Sequence, residues 1–108
     1  MTVKELAEKL NLEIINLANN DLKISGVYCC DLLSIVMGKA FKDCAWVTVM
    51  GNINSIAVAS LVEIGVIVLA DGITPDENAV NKAKENNINV LVSKENIFNT
   101  ALKVNNNL

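Results

Sequence analysis

The stretch that decides the fold is residues 44–71, which read CAWVTVMGNINSIAVASLVEIGVIVLAD. Residues 44–50 and 66–70 are short runs rich in β-branched residues, a composition typical of buried strands. Between them, residues 55–64 predict a helix whose small side chains pack tightly on a sheet, and Gly65 is expected to end that helix. The stretch therefore predicts a strand, a polar Gly-Asn loop, a helix and a second strand.

The amino-terminal side predicts two helices and two strands. Thr2 and Glu5 have the spacing of a capping box, in which each side chain bonds the other residue's backbone amide. Gly26 marks a bulge or a close approach of the backbone. The predicted elements are a helix over 3–10, a strand over 12–17, a strand over 24–29 and a helix from Asp31 to Gly38.

The carboxyl-terminal side predicts two helices separated by a short strand. Thr74 is expected to cap the first helix, with Pro75 in its first turn. Ser93 is expected to cap the second helix. The predicted elements are a helix from Pro75 to about Asn86, a strand over 89–92 and a helix over 94–104, after which Asn105, Asn106 and Asn107 fray.

The order of these elements predicts one α/β layered domain over residues 1–108. Strands alternate with helices after residue 44, and short loops join them, which favours a largely parallel sheet. A chain of this length buries a core without disulfides or a metal. Right-handed crossovers bring the carboxyl ends of parallel strands to one edge, where ligands of open α/β sheets usually bind.

Polar residues follow the predicted strands at that edge. Helix amino termini there present backbone amides to an anion, and Lys94 is the only cation expected nearby. Plainer roles remain open, since Asn52 or Asn54 can cap a helix and Thr48 can be an ordinary strand residue. The candidate ligand-binding residues are Thr48, Asn52, Asn54, Asp71, Gly72, Thr74, Ser93 and Lys94.

Composition narrows the class of partner. The net charge is −3, aromatic residues make up 4%, and no basic stripe is present, so nucleic-acid binding is not expected. Glu63 interrupts the longest apolar run and the amino terminus has no secretion-signal pattern, so we expect a cytoplasmic protein without membrane association. Hydrophobic residues nevertheless make up 52% of the chain, which favours surface buried in an oligomer.

The sequence contains no catalytic signature. It has no histidine, and Gly38-Lys39 lacks the flanking residues of a phosphate-binding loop. Asp71 and Asp76 are too common a loop pair to predict a magnesium site, so no metal and no cofactor are expected. The three cysteines have no zinc-binding spacing and are expected to be buried, reduced thiols; they are Cys29, Cys30 and Cys44.

Six runs of the sequence form a pattern that covers nearly the whole chain: VYCCDLLSIVM (27–37), AWVTV (45–49), NINSIAVA (52–59), DGITPDE (71–77), KAK (82–84) and NVLVS (89–93). The order and spacing of these runs resemble small DRTGG-domain proteins. The resemblance implies an α/β fold related to the amino-terminal domains of HPr kinase/phosphorylase and of the Mur ligases. It also implies a regulatory or dimerisation module whose catalytic partners are other domains. The Asp-Arg-Thr-Gly-Gly string itself is absent.

Three hypotheses about function follow. The first is a non-catalytic regulatory or adaptor domain that acts through self-association, as a homodimer, and through contacts with a protein partner. The alternative is a sensor that binds a nucleotide or a phosphorylated metabolite at the strand-end edge, through Asn52, Asn54, Thr74 and Lys94. An enzyme built on Asp31 or Asp71 is the third, and no motif supports it.

Overall fold

The structure is a computed structural model that describes residues 1–108 and contains five strands and five helices. None of the helices has both the length and the apolar character needed to cross a membrane. In chain order the elements are α1 (Val3–Lys9), β1 (Glu13–Asn16), β2 (Val27–Cys29), α2 (Leu33–Lys39), β3 (Ala45–Thr48), α3 (Ile53–Leu61), β4 (Val66–Leu69), α4 (Glu77–Glu85), β5 (Asn89–Val92) and α5 (Ile97–Asn106).

The strands form one sheet in the order β1-β5-β4-β3-β2. Strands β2, β3, β4 and β5 are parallel, and β1 runs antiparallel to β5 with Glu13 opposite Val92. This arrangement confirms the predicted α/β fold with a largely parallel sheet. Strands β1 and β2 are the two edges, so each has one side without a strand neighbour.

Helices cover both faces of the sheet. On one face, Ile56 of α3 and Ala83 of α4 pack with Trp46 of β3, in a core that also includes part of α2. On the other face, Leu6 of α1 and Val104 of α5 pack against the opposite sides of β3, β4 and β5. Every residue of β3, β4 and β5 is buried, as expected for parallel strands covered on both faces.

Three helices, α2, α4 and α5, begin later than the sequence predicts. The cap of α4 is Asp76, whose side chain accepts a hydrogen bond from the Ala79 amide at 2.8 Å, so the prediction of Thr74 is wrong. The cap of α5 is Asn96, not Ser93. The Ser93 amide donates to a backbone carbonyl of β4 at 2.7 Å, which holds Ser93 in the continuation of β5. The capping box at Thr2 is confirmed.

Two glycines have roles other than the predicted helix stops. Gly38 lies inside α2, which continues to Lys39 and is capped by Ala40. After α3, the left-handed conformation belongs to Glu63, with φ of 57°. Gly65 is required for a different reason, because a Cβ there would lie 2.8 Å from the Asp43 carbonyl oxygen. That glycine therefore permits a close approach of two chain segments.

The edge strand β2 is shorter than predicted, since residues 24–26 do not join the sheet. The expected close approach at Gly26 is to the ring of Phe41, which would lie 3.0 Å from an added Cβ. Cys29 is exposed on this edge strand and only Cys44 is fully buried, so the prediction of buried thiols is wrong for Cys29. Partial burial raises the pKa of Cys29, and burial likewise raises that of Cys44.

Buried Asn89 is the first residue of β5, and its side chain joins this strand to the β1–β2 connection. Its Oδ1 accepts hydrogen bonds from the backbone amides of Ala18 and Asn19, at 2.8 and 2.9 Å. Its Nδ2 donates to the carbonyl oxygens of Asn19 and Gly65, at 3.1 and 2.9 Å. Both polar atoms of the buried amide therefore have partners.

Candidate functional site

Parallel strands β3, β4 and β5 end at the same edge of the sheet, as the sequence predicts. Five of the eight candidate residues fall into two groups at this edge. We call the first the β3 end, formed by Asp31, Thr48 and Asn52. We call the second the β5 end, formed by Gly72, Ser93, Lys94 and the cavity that they line.

At the β3 end, Thr48 is fully buried and its hydroxyl is used within the protein. The Oγ1 atom donates to Asp31 Oδ1 at 2.6 Å and accepts from the Met50 amide at 3.2 Å. The same carboxylate oxygen accepts from the Val49 amide at 3.2 Å. Asp31 therefore joins the loops that follow β2 and β3 and does not begin α2, whose cap position is Leu32.

Asn52 is the cap of α3. Its side-chain oxygen accepts a hydrogen bond from the Ser55 amide at 3.1 Å, which satisfies one free amide of the first turn. Asn54 lies within that first turn and is exposed to solvent. The sequence left helix capping and ligand binding open for both asparagines, and the capping role belongs to Asn52.

The Asp71–Gly72 turn ties the loop after β4 to the loop after β5. Both residues are left-handed, with φ of 56° and 66°, a conformation that aspartate tolerates and glycine favours. The Asp71 amide donates to the Glu95 carbonyl at 2.7 Å, and the Gly72 amide donates to the Ser93 carbonyl at 2.8 Å. Thr74 is exposed on the loop that leads away from this turn.

A cavity of about 490 Å³ opens at the β5 end. Of the candidate residues, Gly72, Ser93 and Lys94 line it, and the other five do not. The remaining wall comes from the α1–β1 connection, the end of β5 and one side of α5. Those lining residues, absent from the sequence-based site, are Leu10, Asn11, Leu12, Glu13, Val92, Glu95, Thr100 and Lys103.

Two buried hydroxyl groups give the cavity a fixed wall. Ser93 Oγ and Thr100 Oγ1 lie 2.8 Å apart, so β5 and α5 are bonded side chain to side chain. Thr100 Oγ1 also donates to the Glu95 carbonyl at 3.2 Å, and the Glu95 amide donates to Ser93 Oγ at 3.2 Å. These groups satisfy one another, so they position the wall and leave ligand contacts to the other polar side chains that line the cavity.

The charged side chains of the cavity wall are two lysines and two glutamates. Lys103 of α5 forms an ion pair with Glu95. Lys94 and Glu13 form no ion pair, so each presents an uncompensated charge to the cavity. The wall is therefore electrically neutral as a whole and charged locally. No group of three or more acidic, cysteine or histidine side chains is placed to hold a metal ion.

A second surface feature is a set of exposed apolar side chains on and beside α2 and α5, the helices on the two faces of the sheet near β2. Helix α2 follows β2, and α5 packs across β2 and β3 on the other face. Six large apolar side chains on or beside these two helices are exposed, each by between 41% and 71%. We call them the β2-edge surface; its members are Leu32, Ile35, Met37, Phe41, Phe98 and Leu102.

Comparison with known proteins places the chain in a family. No curated protein matches its sequence. Among solved structures, it is similar to the crystal structure of the CBS and DRTGG domains of the regulatory region of Clostridium perfringens pyrophosphatase complexed with activator, diadenosine tetraphosphate. The TM-score is 0.76 at 14% identity, over 94% of this chain and 44% of that one, so this chain spans less than half of that region. The DRTGG domain model matches residues 5–107, and the chain therefore belongs to the DRTGG domain family.

Proposed function

We propose that the chain is a non-catalytic, cytoplasmic regulatory or adaptor domain that acts through self-association, as a homodimer, and through contacts with a protein partner. The observation that carries this proposal is the β2-edge surface. The structurally similar protein is itself a regulatory region, which agrees with such a role. Three free cysteines agree with a reducing compartment.

The β2-edge surface has the properties of an interface between identical copies. Large apolar side chains that are exposed to solvent can mark a contact surface, and a free strand edge presents unpaired backbone groups. Strand β2 reads Val-Tyr-Cys and carries no charge that would keep a second strand away. Two copies of a chain with net charge −3 repel each other, so a contact through an uncharged strand is favoured.

Light scattering after size-exclusion chromatography, over a range from low to high micromolar concentration, tests the proposal. We expect a dimer for the natural chain and a shift to monomer for Phe98→Gln, because this side chain is 71% exposed on α5. The matched control is Leu61→Gln, since Leu61 is 68% exposed on α3, outside the β2-edge surface. A monomer at every concentration contradicts self-association.

A second candidate function is that of a small-molecule sensor for a nucleotide or a phosphorylated metabolite. The cavity at the β5 end favours it, because about 490 Å³ falls within the range of about 300–1,000 Å³ that ligand pockets occupy. Among the four side chains expected to hold such a ligand, only Lys94 lines the cavity. Thermal-shift measurements with nucleotides and sugar phosphates test this function. If none of them stabilises the protein, the self-association proposal stands alone.

A further inference from the structure

We infer that the β5-end cavity binds an aliphatic phosphate ester, of the sugar-phosphate class, whose phosphate lies between Lys94 and Lys103 after displacing the carboxylate of Glu95. This inference rests on the sensor function proposed above and narrows its ligand. It concerns the part of the cavity wall formed by the β5–α5 connection and by α5, which carry Lys94 and Lys103. Four features of the wall support it in turn.

The first feature is the unpaired charge of Lys94. The side chain is exposed on the cavity wall and forms no ion pair. Its backbone is held firmly, because neighbouring Ser93 donates its amide to β4 and Gly72 donates its amide to the Ser93 carbonyl, at 2.7 and 2.8 Å. A lysine fixed at its base and free at its ammonium is suited to hold an anion that enters from solvent.

The second feature is the exposed ion pair between Lys103 and Glu95. The two side chains are 55% and 41% exposed, and ion pairs in contact with water contribute little to stability. A phosphate monoester carries a charge of about −1.5 to −2 near neutral pH, against −1 for a carboxylate. Phosphate therefore competes well with Glu95 for Lys103, and the exchange leaves a single anion in contact with two lysines.

The third feature is the absence of any aromatic residue from the wall. Proteins commonly hold nucleobases by stacking them on aromatic side chains, and this cavity offers no such platform. The apolar part of the wall is small and aliphatic, formed by Leu10, Leu12 and Val92. The cavity accordingly favours a ligand without a base.

The fourth feature is the pair of exposed polar groups on the α1–β1 side, Asn11 and Glu13. An amide and a carboxylate accept hydrogen bonds from hydroxyl groups, and Asn11 can donate one as well. The negative charge of Glu13 also directs a phosphate away from this side and toward the lysines. A polyhydroxylated body with one phosphate matches both sides of the cavity.

Calorimetric titration of the intact chain tests the inference with fructose 6-phosphate and glycerol 3-phosphate as probes. We expect Lys94→Ala and Lys103→Ala each to weaken binding at least about tenfold, the loss of one charge-assisted contact. Glu95→Gln is expected to tighten binding several-fold, because it removes the competing carboxylate. The matched control is Lys84→Ala, an exposed lysine of α4 that forms no ion pair and is expected to leave binding unchanged.

Each remaining outcome counts against the inference in a distinct way. Weaker binding to Glu95→Gln means that Glu95 contacts the ligand directly, so the phosphate does not displace its carboxylate from Lys103. Tighter binding of adenosine monophosphate than of both sugar phosphates overturns the ligand class and leaves the sensor function standing. If inorganic phosphate binds as tightly as the esters, the polyol contacts are wrong. If no phosphate compound binds, the sensor function fails too, while the dimer test decides self-association independently.

Discussion

The β3 end and the β5 end lie at the same edge of one sheet, yet one is closed and the other open. At the β3 end, Thr48 and Asp31 bond each other and the adjacent loop amides. At the β5 end, the neighbouring strand is antiparallel β1, so the α1–β1 connection arrives beside the loop that follows β5 and leaves a cavity. The direction of the neighbouring strand, and not strand-end position alone, decides where this edge opens.

The largest change in stability is expected when the Thr48 hydrogen bonds at the β3 end are removed. Thr48→Val keeps the side-chain shape but leaves the Met50 amide and Asp31 without the hydroxyl, so we expect the free energy of unfolding to fall by about 2 kcal/mol. Thr74→Val is the matched control, because Thr74 is exposed at the same edge and its change should stay within about 0.5 kcal/mol. Urea denaturation followed by circular dichroism measures both; equal effects would contradict the closed arrangement.

The fixed wall of the open end is tested by a double-mutant cycle. We expect Ser93→Ala and Thr100→Val each to lower the free energy of unfolding by about 1.5 kcal/mol, since each removes the bond between the two buried hydroxyls and one bond to the Glu95 backbone. The double variant should be about 1 kcal/mol more stable than the sum of the single effects predicts, because neither hydroxyl then remains. Additive losses in denaturant titrations would show that the two side chains act independently.

Asn52 and Asn54 had the same predicted role as caps of α3, and only Asn52 fills it. Asn52→Ala is expected to lower the free energy of unfolding by about 1 kcal/mol, because it removes the acceptor for the Ser55 amide. Asn54→Ala should change stability by less than about 0.5 kcal/mol or improve it, because alanine is the better helix former. Thermal and urea unfolding of both variants, measured side by side, give the comparison; a larger loss at Asn54 would exclude the assigned cap.

The smallest expected effect is on the pH dependence of stability, through Glu5 in the first turn of α1. Hydrogen bonds to the backbone and hydroxyl of Thr2 lower the pKa of Glu5 below its ordinary value. This carboxylate therefore contributes stability above the unfolded-state pKa of about 4.3, and the contribution disappears as pH falls through the lower folded-state pKa. We expect Glu5→Gln to reduce the acid-dependent loss of stability. Unfolding curves between pH 3 and 6 measure it, and an unchanged slope would contradict this role.

Local sequence pattern is sufficient to predict the helices, the strands and a largely parallel sheet, but not the order of the strands in that sheet. The runs on either side of the 44–71 helix have strand composition, and a helix between two strands is the usual crossover of parallel neighbours, as observed in β3 and β4. Helix boundaries are less certain, because Thr74 and Asp76 are both good caps within three residues. The choice between them depends on the path of the chain after β4, which local composition does not contain.

The candidate site is only partly readable from sequence, because its walls meet through distant pairing. The α1–β1 connection reaches the cavity because Glu13 pairs with Val92, far along the chain. No local signal at Asn11 or Glu13 indicates this neighbour. Asp31 shows the same limit, since its position favours a helix cap, but buried Thr48 lies close enough to take its carboxylate instead.

The hydrogen bonds of Asn89 have a consequence for the order in which this domain is made. The partners of its side chain are Ala18, Asn19 and Gly65, all of which leave the ribosome earlier. Strand β1 likewise has no neighbour until β5 has been synthesised. Strand β1 and the turn that follows it must therefore wait in a nascent chain, without a strand neighbour, for residues 89–92. Translation arrest before that point should leave this segment accessible to proteases and chaperones, and release beyond it should protect the segment in a single step.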